Sequence, residues 1–169
     1  LPISPRETGQ PASATQASLL LDPLASLVVP WMPAHASDKD DAAASRPRYL
    51  GVIVDQGFDW QDVAPPRHPW SETIIYETHV RGFTRDASAG VSHPGEYLGL
   101  IEKIPYLRSL GITAVELLPV QTFETSSQRR QYWGYNPIAL FAPHPGYASG
   151  TTADSPVTEL KTMVRELHR

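Results

Sequence analysis

WSETIIYETHVRGFT at 70–84 and GLIEKIPYLRSLGITAVELLPV at 99–120 together decide the fold class of this chain. Within the first, TIIYETHV (73–80) is short, β-branched and aromatic, and it stops at Gly82, so a buried strand is expected. Leu98, Ile101, Ile104, Leu107 and Leu110 then recur at three-residue steps, as one face of a helix does, and Gly111 stands where a C-terminal glycine cap belongs. Pro105 removes an interior hydrogen bond, which predicts a kink or restart near Ile104. ITAVELLPV (112–120) is nearly all apolar and is expected to be a second strand buried on both faces. Strand, helix and strand in this order make a parallel βαβ unit with a right-handed crossover, and the fold class is α/β.

Downstream of that unit, 121–152 is expected to be one long loop. Ser155-Pro156 then offers an N-cap and a proline at the first helical position. Val157, Leu160, Met163, Val164 and Leu167 line one face of a last helix, and Arg165, His168 and Arg169 suit its negative end. Upstream, 49–54 is fit for a short strand. After it come the acidic-aromatic FDWQD and Pro65, Pro66 and Pro69, whose extended chain suits a passage between domains. Residues 1–48, rich in Pro, Ala, Ser and Asp with an apolar island at 19–29, are taken as a linker or the remnant of an earlier domain. The expected organisation is therefore 1–48 as linker or remnant, 49–72 as a short strand and Pro-rich approach, and 73–169 as two βα units.

Composition narrows the function. Fourteen Lys and Arg against 18 Asp and Glu give a formal charge of −4, without the basic excess that neutralises a phosphate backbone, so nucleic acid is not an expected partner. The absence of cysteine removes disulfides, thiolate nucleophiles and zinc-thiolate sites. No apolar run approaches the roughly 18 to 20 residues that span a bilayer, and no membrane partner is expected. ASLLLDPLASLVVPWM with Ala34-His35-Ala36 imitates a signal peptide, but Asp22-Pro23 and Pro30 interrupt it and no basic cluster precedes it. A bacterial cytoplasm is the expected compartment, with a plastid as the alternative.

YWGYNPIALFAPHPGYASG (132–150), together with 70–84 and 99–120, closely resembles the first barrel strand, first helix, second strand and following loop of isoamylase-type glycogen debranching enzymes, in matching order and spacing. These belong to the alpha-amylase superfamily, glycoside hydrolase family 13. LLLDPLA (19–25) and FDWQDVAPPRHPW (58–70) more loosely resemble the exit from that family's N-terminal glucan-binding β-sandwich. The resemblance implies an incomplete (β/α)8 TIM barrel, two βα units of eight, since a whole barrel takes about 250 residues. It also implies a retaining hydrolase of alpha-1,6 branch points in glycogen, limit dextrin or starch, with no cofactor. In such enzymes the nucleophile and acid carboxyls stand about 5 to 5.5 Å apart. The family places them on the fourth and fifth strands, with a helper Asp after the seventh, so all are expected beyond residue 169 and no catalytic residue is carried over. An alpha-1,4-acting amylase or branching enzyme of the same superfamily, a non-catalytic glucan-binding module, and a fragment with no independent role are the alternatives.

One site position does carry over. Tyr135 of the WGYN motif resembles the aromatic that stacks on the sugar at the cleavage subsite, and an aromatic face suits the apolar C–H patch of a pyranose. Trp133 and Asn136 are its expected substrate-binding neighbours, with Tyr132 beside them. Aromatic residues make up 9% of the chain, so WGY alone would carry little weight. Glu77 and Glu116, on the two strands, are expected to be packed barrel residues rather than an acid–base pair. His79 is expected to be a hydrogen-bonded structural histidine, with substrate contact as the alternative, and Arg81 to pair with a barrel carboxylate. His93 and His144 lack metal-binding spacing. Glu102 and Lys103 are expected on a solvated helix face.

Overall fold

The computed structural model describes residues 21–31, 48–125 and 131–169. Ala34-His35-Ala36 and the first 20 residues, including the start of LLLDPLA, lie outside them. The elements in chain order are β1 (Val28–Trp31), β2 (Arg48–Gly51), β3 (Ile75–Thr78), α1 (Val80–Thr84), α2 (Tyr97–Glu102), α3 (Ile104–Ser109), β4 (Ala114–Leu117), β5 (Gln121–Phe123), β6 (Pro137–Pro143) and α4 (Ser155–His168). They form three two-stranded sheets: β1 with β2 antiparallel, β3 with β4 parallel, and β5 with β6 antiparallel.

The parallel pair is the βαβ unit that the sequence predicts, with Ile75 opposite Ala114 and Thr78 opposite Leu117. Its crossover breaks where Pro105 requires. α2 ends at Glu102, Lys103 serves as its C-cap and as the N-cap of α3, and Pro105 sits in the first turn of α3, where a missing N–H costs nothing. Gly111 takes φ 76°, a left-handed conformation that a side chain resists, and so ends the helix.

Three expectations need correction. The strands were expected to be buried, yet Ile74, Ile75, Glu77 and Glu116 are exposed, because a two-stranded sheet covers only part of its own faces. An incomplete barrel is thus more than these sheets establish, and the observed class is α/β. The helix face expected from three-residue spacing is also displaced. Tyr97, Leu100 and Leu107 enter the core whereas Leu110, the C-cap of α3, is 48% exposed, since steps of three residues drift around a helix of 3.6 residues per turn and leave the buried face. Finally, 121–152 is not one loop. β5 and β6 pair within it across an irregular register, and the buried Thr122 hydroxyl lies 3.0 and 2.9 Å from the carbonyls of Ala142 and Pro143 at the bulge. The apolar island near residue 28 likewise contributes a strand, β1, opposite β2.

The main core joins Val80, Tyr97, Leu100, Phe123, Tyr147 and Met163, flanked by Phe83, Ile101, Leu117, Val120, Leu160 and Leu167. A second cluster of Ala25, Val28, Ala139 and Ala142 seats β1 against β6. α4 starts one residue earlier than a Ser155 cap would require: Asp154 is its N-cap, without a side-chain bond. Its basic residues do more than face the helix terminus. Lys161 Nζ donates to the Gln56 carbonyl at 2.9 Å and Arg165 Nη1 to that of Asp59 at 2.9 Å, with both cations over the Phe58 ring. The approach segment is thereby tied along α4.

The displaced helix face gives a direct test. Leu100→Ala removes a fully buried side chain and is expected to cost about 2 to 5 kcal/mol in urea unfolding, whereas Leu110→Ala should stay within about 0.5 kcal/mol.

Candidate functional site

The chain leaving β4 turns through Pro119 and β5, and returns through residues 131–136 before β6. This brings Tyr135 to the lip of a shallow concavity at the C-terminal end of β4, lined also by Glu77, Glu116, Leu117, Pro119 and Gln121. Tyr135 is 71% exposed and Trp133 55% exposed, and Asn136 is exposed beside them. Large rings cost free energy when left in water, and three neighbouring positions that remain outside the core form a surface suited to a ligand.

Beneath these exposed rings the loop is tied down. His79, only 6% exposed, is the N-cap of α1, and its Nδ1 accepts a 3.1 Å bond from the N–H of Gly82. The ring proton therefore resides on Nε2, which donates to the Tyr132 carbonyl at 2.8 Å. The His79 and Tyr132 rings stack at 4.2 Å and 7°, and Trp133 stands edge-on to both. Gly134 takes φ 77°, with the Phe123 ring and Pro119 too near to admit a side chain comfortably. The expectation of a hydrogen-bonded structural histidine is met by this geometry.

Glu77 and Glu116 face each other directly across the parallel pair. They share the concavity with Tyr135, a juxtaposition that sequence reasoning did not foresee, because register and loop path are not written in local patterns. Both are exposed rather than packed. Among the described residues Arg81 pairs with no carboxylate: its Nη2 donates to the Gly146 carbonyl at 3.0 Å. Nor are Glu102 and Lys103 an idle solvated pair. Glu102 accepts from the Ser92 N–H at 2.9 Å and the His93 N–H at 3.2 Å, bonds that lower its pKa, while Lys103 Nζ donates to the Ala89 carbonyl.

Sequence reasoning also missed buried polar residues that shape the loop. Glu159, on the buried side of α4, accepts from the N–H groups of Ser149 and Gly150 at 3.0 and 2.7 Å and from the Ser149 hydroxyl at 3.0 Å. Its only signal was a carboxylate within an apolar helical face. Tyr147 is buried with its Oη 3.2 Å from His79 Nε2, and burial pushes its pKa up to about 12. His144 stacks on Phe123 at 3.9 Å and is buried. Desolvation, followed by the charge of Arg81, lowers its pKa to about 4, and its Nδ1 has no hydrogen-bond partner among the described residues.

No family model matches the chain. It is 43% identical over 141 residues to the glycogen operon protein GlgX homolog of Haemophilus influenzae, covering 79% of the chain and 21% of that protein. Chloroplastic isoamylase 1 of rice is 42% identical over 120 residues, 66% of the chain and 15% of the relative. Type I pullulanase from Bacillus subtilis, solved in complex with maltose, superposes with a TM-score of 0.65 at 30% identity, over 88% of this chain and 21% of that one. The chain thus spans about a fifth, or less, of the length of these relatives.

His144 supplies a pH test. Its folded pKa lies below the unfolded value near 6.5, so the unfolded chain binds the proton more readily. Stability from this residue is complete above about pH 6.5 and declines as pH falls towards 4. His144→Gln should flatten that decline in urea titrations at stepped pH, and an unchanged slope would show that the imidazole is not the group responsible.

Proposed function

Because the chain belongs to the isoamylase-type debranching enzymes of the alpha-amylase superfamily, we propose that it forms the sugar-facing opening segment of a retaining glycoside hydrolase acting on alpha-1,6 branch points of glycogen, limit dextrin or starch. In this proposal β3 and β4 are the first two staves of a (β/α)8 barrel, preceded by the remnant of a glucan-binding β-sandwich in 1–48 and the approach segment 49–72. Active sites of such barrels open at the C-terminal ends of the strands, the end at which Tyr135 lies. The cytoplasm is the compartment implied, with a plastid as the alternative.

The observation that carries the proposal is the Tyr135 ring itself, exposed over a concavity while the residues before it are anchored. It acts as a stacking platform for a glucosyl ring. Trp133 provides a second apolar edge, and Asn136, held extended by the following Pro137, offers an amide to a sugar hydroxyl. Glu77 and Glu116 are assigned to the wall of the cleft. The nucleophile and acid of the reaction are assigned to later strands of the barrel.

Retention on insoluble glycogen tests the platform. Tyr135→Ala should weaken retention roughly tenfold, on the scale of a lost aromatic stack, while Tyr135→Phe should keep most of it. Equal retention by Tyr135→Ala would remove the platform. The 169-residue chain by itself is expected to release no reducing ends from glycogen or pullulan. Turnover that vanishes in Glu77→Gln or Glu116→Gln would transfer the acid–base role to this pair.

A further inference from the structure

We propose that His79 is a positioning residue for the sugar-facing loop, fixing the backbone at Tyr132 so that the Tyr135 ring is presented in one direction. This rests on Tyr135 being the sugar platform. His79 stands at the exit of β3, on the scaffold, whereas Tyr135 stands on a loop that is 53 residues removed from it at the point of contact, Tyr132. The imidazole uses both nitrogens at once. Nδ1 caps α1 through the Gly82 N–H, and Nε2–H holds the Tyr132 carbonyl. The first bond dictates the tautomer that makes the second possible.

Two further features make the link rigid. Gly82 has no Cβ, and one built there would collide with the Tyr132 hydroxyl, so the ring can lie flat on His79 only because residue 82 is glycine. Beyond Trp133 the backbone passes through Gly134 at φ 77°, pressed against Phe123, and emerges at Tyr135. Movement at Tyr132 is therefore transmitted across two intervening residues, one of them locked, to the exposed ring. A histidine that merely capped α1 would require none of this.

The two functions of the ring are separable by substitution. In His79→Asn the side-chain oxygen can still accept from the Gly82 N–H, but the bond to Tyr132 is lost. In His79→Gln the amide reaches the Nε2 position and can still donate to the Tyr132 carbonyl. Maltotetraose affinity of the full chain, followed by tryptophan fluorescence, is expected to fall roughly fivefold in His79→Asn, the scale of one neutral hydrogen bond, and to be largely retained in His79→Gln. Wild-type affinity in His79→Asn, or equal loss in both variants, overturns the positioning role. Gly82→Ala leaves the imidazole intact and covers the case in which the position-79 variants do not fold. Displacement of the Tyr132 ring should weaken maltotetraose binding and speed amide exchange across 132–135, and unchanged binding and exchange overturn the proposal. Tyr135→Ala separates the two levels. If it binds maltotetraose as the wild type does, the platform fails and the positioning role with it. If binding depends on Tyr135 but not on His79 or Gly82, only the positioning role is lost.

Discussion

The buried phenol of Tyr147 is the constraint around which the main core is arranged. Its ring meets Tyr97 of α2, Phe123 of β5, His144 and His79 at centroid distances between 4.8 and 6.2 Å. A hydroxyl carried into an apolar core is costly without a partner, and here its oxygen lies 3.2 Å from His79 Nε2, as a second acceptor of the N–H that the Tyr132 carbonyl also receives. Tyr97 has the same problem and meets it more weakly, with its Oη 3.4 Å from the carbonyls of Val120 and His144. These polar tips fix how α2, β5 and the segment after β6 converge. Apolar packing alone would tolerate sliding between them.

The features legible in the sequence were those governed by neighbours a few residues apart. The β-branched run at β3, the break before Pro105, the left-handed Gly111 and the apolar face of α4 around Met163 all follow from local sterics and periodicity. The features missed were decided by long-range pairing. β5 is three residues long and β6 runs through Pro137 and Pro143, which ordinarily argue against a strand, so neither gives a local signal. The exchange of Leu110 for Tyr97 and Leu100 as core residues has a different origin, because steps of three residues drift off the face of a 3.6-residue helix. At the site, the aromatic motif pointed to Tyr135, Trp133 and Asn136. The meeting of Glu77 with Glu116 depends on parallel register, which one residue of slip would undo.

Two like charges directly opposite on a parallel pair are unfavourable, and solvent exposure is what makes the Glu77–Glu116 pairing tolerable. Water screens the repulsion at the concavity. The same exposure leaves Ile74 and Ile75 in contact with solvent, an apolar cost that the sheet carries as it stands. Barrel closure, which is the proposed setting of these strands, would cover those residues and place the two carboxylates in an interior where they demand donors.

The contrast between His79 and Tyr135 explains how one short loop can be firm and available together. A stacking platform gains affinity when its ring is held in the bound direction before the ligand arrives, since the ordering cost has already been met in folding. Rigidity normally comes from burial, but a buried ring cannot receive a sugar. The structure divides the two demands between neighbouring residues. Tyr132 gives up its carbonyl and one ring face to the buried His79, Gly134 fixes the turn against Phe123, and Tyr135 is left bare. Loss of any anchor would leave Tyr135 equally exposed but free to point elsewhere, so exposure by itself does not account for a binding surface, whereas exposure on an anchored backbone does.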